Sequence, residues 1–69
     1  MQISARNQIP GKVSEVRPGS VMAEVHVDIG GGKTIVSVIT KDSAERLGLK
    51  KGDQVTAIIK STEVLIAKG

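Results

Sequence analysis

Val21, Ala23, Val25, Val27 and Ile29 alternate with Met22, Glu24, His26 and Asp28, so apolar side chains fall at every second position. Successive side chains of a strand point to opposite faces, so the run specifies a strand with one face on a core and the other wet. Turn signals bound it on both sides. Arg17-Pro18-Gly19-Ser20 precedes it, with proline pre-setting one turn position and glycine free to take positive φ, and Gly30-Gly31-Gly32 follows it as a flexible reversal. An alternating strand between two short reversals pairs with its neighbours in the chain, which points to a small antiparallel architecture.

The flanking segments fit that frame. Ile3 to Val16 is compatible with one long strand interrupted at Pro10-Gly11, since proline cannot donate to a ladder and glycine often marks a bulge or bend. Lys33 to Thr40 is rich in β-branched residues, with Ile35 and Ile39 on one face and Val36 and Val38 on the other. One of those faces suits the core and the other a partner. Lys41 to Leu49 changes period and reads as a single short helix. Asp42 with Glu45 fits a capping box, Thr40 is the alternative N-cap, and Gly48 fits the C-terminal stop. Lys50-Lys51-Gly52-Asp53 is the exit turn. Gln54 to Lys60, with Val55, Ala57 and Ile59 in phase, and Glu63 to Ala67, with Val64 and Ile66 in phase, read as two last strands around a Ser61-Thr62 bend. Five strands with one short helix after the third predict an all-β, closed or partly open five-stranded barrel of the OB type, over residues 1–69 as one domain. An SH3-like barrel is the competing topology.

Such a chain cannot rest on its core alone. With 69 residues it buries only about 60% of the surface its unfolded chain exposes. It has no cysteine and one histidine, which removes disulfides and the usual zinc staples, and no Phe, Tyr or Trp to enlarge the core. Oligomerisation is the remaining remedy, so a binding site between subunits is expected.

Ten Lys and Arg against seven Asp and Glu leave a formal charge of +3, scattered along the chain, with Lys50-Lys51 the only adjacent basic pair. That balance favours small anions over a dedicated polyanion groove. No apolar run approaches the roughly 20 residues that span a bilayer, and the N-terminus lacks a basic segment followed by an apolar signal core, so the expectation is a soluble, cytoplasmic protein with no membrane partner. Gly30-Gly31-Gly32-Lys33-Thr34 is not a nucleotide loop: Val27 stands where the motif needs its first glycine, and a strand follows the threonine where the motif needs a helix. His26 shares its face with Glu24 and Asp28 but has no nucleophile beside it in the sequence, so an enzyme is not expected. An OB-type nucleic-acid-binding module is the alternative. Single-strand binders of that fold stack bases on aromatic side chains, and there are none here.

Anion binding has the better constellation. Ser4-Ala5-Arg6-Asn7-Gln8 crowds donors at the start of a strand, where Ser4 and Arg6, two apart, would share a face. Thr40 and Ser43 bracket the helix start, where free N–H groups and the dipole favour negative charge, and Lys60-Ser61 adds an ammonium, a hydroxyl and a backbone N–H at a strand end.

These three segments, with the run from Thr40 to Gly52 and Lys60-Ser61-Thr62-Glu63-Val64, resemble the molbindins, the small molybdate-binding Mop proteins, in order and along essentially the whole chain. The Ser-Ala-Arg-Asn-Gln run is the most specific part. The resemblance implies an OB-like Mop-type barrel, a homohexamer built as a trimer of dimers, and molybdate or tungstate bound at subunit contacts for intracellular storage or buffering; no organic cofactor is predicted from the sequence, which does not decide whether a pterin is bound. It implies Ser4, the Ala5 backbone, Arg6, Thr40, Ser43, Lys60 and Ser61 as oxyanion ligands, with molybdenum held as its oxyanion rather than ligated directly by the protein. There is one Mop unit and no DNA-reading or ATPase segment, so the regulator and transporter roles of related proteins do not carry over.

Overall fold

A computed structural model describes residues 2–69. Four strands, β1 (Asn7–Pro18), β2 (Met22–Gly30), β3 (Lys33–Thr40) and β4 (Gln54–Ile59), and one helix, α1 (Lys41–Leu47), form a mostly β, OB-like half-barrel. The sheet is antiparallel with order β3-β2-β1-β4.

The curl originates in β1. Its first half, Asn7 to Lys12, pairs with β4, and its second half, Lys12 to Pro18, pairs with β2. The ladder slips between Val13 and Glu15, a bulge that bends the strand where it changes partners. The expected interruption at Pro10-Gly11 is absent, and β1 runs through it. Proline is tolerated because β2 pairing begins only at Lys12, so Pro10 has a strand neighbour on the β4 side alone.

The alternation of β2 is realised as expected: Ala23, Val25 and Val27 are buried, and with Val13 of β1 and Ala44 of α1 they make the core. Val16, Ile29, Ile39, Leu49 and Val55 close around it. Gly31 and Gly32 have φ of 64° and 74°, the positive values that a type I′ hairpin demands at both central positions. Thr40, not Asp42, caps α1: its hydroxyl accepts from the Ser43 N–H, and Gly48 at φ 62° ends the helix by bonding back to Ala44 and Glu45 carbonyls.

The fifth strand does not form. Ser61–Glu63 is a single 3-10 turn, and residues 64–69 have no regular structure. Val64, Leu65 and Ile66 are left 44%, 91% and 89% exposed, and Val36 and Val38 on the outer face of β3 are also exposed. The apolar outer face of β3 thus lacks a cover within one chain.

Two ion pairs brace the surface. The Arg17 guanidinium beside Glu15 holds that carboxyl below the usual range. Asp53 is also held low, first by the Lys50 N–H, which donates to Oδ2 at 3.0 Å, and then by the Lys50 ammonium 3.2 Å from Oδ1. A carboxyl depressed in the folded state stabilises the fold above its unfolded pKa, and the contribution disappears as pH falls through the folded value. Asp53→Asn is therefore expected to be less stable than wild type at neutral pH, with the gap closing on acidification. Thermal melts between pH 7 and pH 3 read this directly; a constant gap would assign the acid sensitivity elsewhere.

Candidate functional site

The donors form two groups. At the first, the Asn7 side-chain amide donates to the Ile59 carbonyl at 3.2 Å and pins the start of β1 to the end of β4. The Gln8 amide donates to the Ala5 carbonyl at 2.8 Å and sets the path of the segment before the strand. Two of the polar residues singled out in the sequence are therefore structural fasteners. Ser4 and Arg6 lie at bends ahead of β1 rather than on it, which corrects the expectation that they share a strand face. Asn7 opposes Ile59, so the next positions along that register are Arg6 and Lys60. Two cations thus stand at the same sheet end, and among the described residues neither forms an ion pair. Ser61 follows at the 3-10 turn, exposed.

The second group is at the start of α1. Thr40 Oγ1 donates to Ser43 Oγ at 2.8 Å, and an Arg46 guanidinium nitrogen donates to the same oxygen at 3.3 Å. Ser43 Oγ accepts twice, so its own hydrogen is free for an outside acceptor. Arg46 was not among the residues chosen from the sequence, although its spacing of three from Ser43 on a helix was the available signal. Asp42 lies in the first turn and lines the same shallow recess as Thr40 and Arg46, so its carboxylate opposes an anion there. With a helix of only 7 residues, the dipole is a minor contribution, and the Ser43 hydroxyl and Arg46 are the stronger donors.

The two groups do not meet within one chain. Asn7 and Ile59 mark one end of β1, whereas Thr40 pairs with Met22 beyond the other end at Pro18. All 12 residues of β1 lie between them, roughly 36–40 Å measured along the strand at about 3.3 Å per residue. A tetrahedral oxyanion, a few ångströms across, cannot touch both.

His26 is half-buried, with Nε2 2.6 Å from Glu24 Oε1, and an Arg17 guanidinium nitrogen lies 3.8 Å from the same oxygen. It belongs to a cross-strand ionic ladder, with Glu15 opposite His26 and Glu24 opposite Arg17. Among the described residues no cluster of three or more His, Cys, Asp or Glu side chains could hold a metal ion, and no helix is long and apolar enough to cross a membrane.

Comparison with known proteins gives a consistent set. Residues 3–66 match the TOBE domain. Molybdenum-pterin-binding protein 3 of Clostridium pasteurianum is 54% identical over 66 residues, which are 96% of this chain and 97% of that protein. The solved molybdate-binding protein from Sporomusa ovata superposes with a TM-score of 0.92 at 43% identity, covering 99% of this chain and 100% of that one. The cytoplasmic molybdate-binding protein ModG, solved with molybdate bound, superposes with a TM-score of 0.83 at 41% identity over 88% of this chain and 43% of that one.

Proposed function

The chain belongs to the TOBE-domain family, among relatives that are molybdenum-pterin-binding and molybdate-binding proteins, and we propose that it binds molybdate, or the isostructural tungstate, without catalysis. In this reading the protein is cytoplasmic and stores or buffers the oxyanion, which is cargo rather than a resident cofactor. The ligands are Ser4, the Ala5 backbone, Arg6, Thr40, Ser43, Lys60 and Ser61.

The observation that carries the reading is the split donor set: two donor groups at opposite ends of β1, one holding two cations without carboxylate partners. A tetrahedral dianion only accepts hydrogen bonds, so its site needs donors. Arg6, Lys60 and the hydroxyls supply them. Charge-assisted bonds contribute on the order of 1.5–3 kcal/mol each, and several together offset dehydration of the dianion. Since one chain cannot converge both groups on one ion, the site forms where copies meet, with the homohexamer of three dimers as the assembly. The OB-type nucleic-acid reading is not favoured, because the chain offers no aromatic side chain for base stacking.

Molybdate and sulfate carry the same charge and shape near neutral pH, so discrimination rests on donor spacing and cavity size. Titration calorimetry with molybdate, tungstate, sulfate and phosphate is the test. Molybdate and tungstate are expected to bind at least about ten-fold more tightly than sulfate, a difference of about 1.4 kcal/mol. Equal affinity for all four would leave only a nonspecific cationic surface.

A further inference from the structure

Two donors converge on one side-chain oxygen at Ser43. Thr40 Oγ1 accepts from the Ser43 N–H at 3.1 Å, and its own hydrogen goes to Ser43 Oγ at 2.8 Å. An Arg46 guanidinium nitrogen, three residues along α1 on the same face, donates to that oxygen at 3.3 Å. A serine hydroxyl has two acceptor positions and one hydrogen, so both acceptor positions are taken and the hydrogen alone is left for a ligand. The direction of the Arg46 bond is fixed, because a guanidinium carries only donors and does not deprotonate. With Arg46 in place, Ser43 Oγ gives a hydrogen bond to a ligand and takes none. Ser43 is half-buried while Arg46 is exposed, so the guanidinium is the removable member of the pair.

We infer that Arg46 is a specificity-determining residue: by occupying the second acceptor position of Ser43, it turns away oxyanions that carry a proton, hydrogen phosphate above all, and admits fully deprotonated ones. That role rests on the functional reading above, in which Ser43 contacts the oxyanion. Molybdate, tungstate and sulfate are bare dianions near neutral pH and require donors only. Phosphate at the same pH keeps at least one O–H, which needs an acceptor once water is displaced. Against Ser43 that O–H meets another hydrogen in place of a lone pair. A site rejects a close analogue chiefly when a polar group is left without a partner, and one unpartnered group corresponds to about 5–150-fold in affinity. Hydrogen phosphate and molybdate are both tetrahedral dianions, so the proton is what Arg46 detects. The Asp42 carboxylate lines the adjoining recess with Arg46 and is the rival acceptor for that proton.

Titration calorimetry at pH 8, where phosphate is mostly the hydrogen-phosphate dianion, compares molybdate with phosphate at matched charge, phosphate being read by displacement of molybdate. The quantity that decides is the ratio of the two affinities, because loss of the Arg46 charge weakens both dianions together. Arg46→Ala places a good helix former at an exposed position, so the fold is retained, as circular dichroism checks. It is expected to lower the molybdate-over-phosphate ratio by about 5–150-fold, since the freed Oγ lone pair now accepts the phosphate O–H. The molybdate-over-sulfate ratio should stay within about two-fold, neither ion having a proton to place. In a Ser43→Ala background there is no oxygen to open, so adding Arg46→Ala should leave the phosphate ratio unchanged. In an Asp42→Ala background the fall should persist. A phosphate ratio unmoved by Arg46→Ala, or moved equally without Ser43, overturns the inference and leaves the functional reading standing. Disappearance of the effect without Asp42 assigns the proton to that carboxylate and also overturns it. An equal fall in the sulfate ratio traces the change to cavity size, with the same consequence. If the wild type binds no molybdate, the functional reading fails and the role of Arg46 falls with it.

Discussion

Arg6→Ala is expected to weaken molybdate binding by about 10–150-fold, the equivalent of one charge-assisted contact of 1.5–3 kcal/mol, while leaving the fold of the chain unchanged. Both halves of that expectation come from where Arg6 sits. It precedes β1, is exposed, and forms no ion pair among the described residues, so no part of the architecture depends on its guanidinium. Its place one step beyond the Asn7–Ile59 pair puts it at the same sheet end as Lys60, so in the proposed site both cations address one anion. Lys60→Ala should therefore weaken binding in the same direction. His26→Ala is the control: it removes a partner of Glu24 from the ionic ladder of β1 and β2 and should leave affinity within about two-fold. Calorimetry on the three variants, with far-ultraviolet circular dichroism on each, is decisive. Comparable losses in Arg6→Ala and His26→Ala would detach the affinity from the proposed donors and attribute it to net charge.

Much of the architecture was legible because the informative signals are local. A positive-φ requirement is satisfied by Gly31 and Gly32 within a single hairpin, and Thr40 and Gly48 bracket a helix whose two ends are each defined within four residues. The alternation from Val21 to Ile29 named the buried face correctly at Ala23, Val25 and Val27, though Val21 itself is exposed. Where reading failed, the missing information was nonlocal. Period two says which side chains share a face, but a strand also needs a neighbour to complete its ladder, and the segment from Glu63 to Ala67 finds none in its own chain. Pro10 looked like an interruption because its effect depends on which side of β1 is paired at that residue, and only the register reveals that β2 begins at Lys12. The same limit applies to the proposed ligands. Ser4, Arg6, Thr40, Ser43, Lys60 and Ser61 stand out as donors by type, whereas Arg46 is marked only by its spacing of three from Ser43 on the helix, which composition and residue type do not show. That the donors divide between opposite ends of β1 depends on strand pairing, which no local pattern contains.

Gly11→Ala should lower the thermal midpoint by roughly 4–25 °C, the equivalent of 1–3 kcal/mol of overpacking in a domain this small. The ordinary expectation is the reverse, since alanine in place of glycine reduces the entropy of the unfolded chain and stabilises by about 0.4–1 kcal/mol wherever the backbone allows it. Here φ is not positive, so the backbone would accept alanine. The obstacle is space: a Cβ on Gly11 would lie 2.6 Å from Val27 Cγ1, 2.7 Å from the Asp28 carbonyl oxygen and 3.3 Å from Ile29 Cγ2. The Val27 methyl can turn away only by disturbing one of the buried core residues, and the Asp28 oxygen belongs to the backbone of β2 and cannot turn at all. The strands must separate where β1 passes from β4 to β2, which loosens the bulge that gives the half-barrel its curl. Gly30→Ala supplies the contrast, because its cost comes from a φ of 93° with open space around the added methyl, so the damage stays at a solvent-facing hairpin. If crowding dominates, Gly11→Ala also loosens the seam to which the Arg6 and Thr40 ends are both attached, so molybdate affinity falls although Gly11 has no side chain to offer the anion. Melts of both variants at fixed protein concentration, paired with calorimetry, distinguish the two kinds of damage. An alanine at position 11 that melts at or above the wild type would mean that β1 and β2 do not approach each other as closely as their register requires.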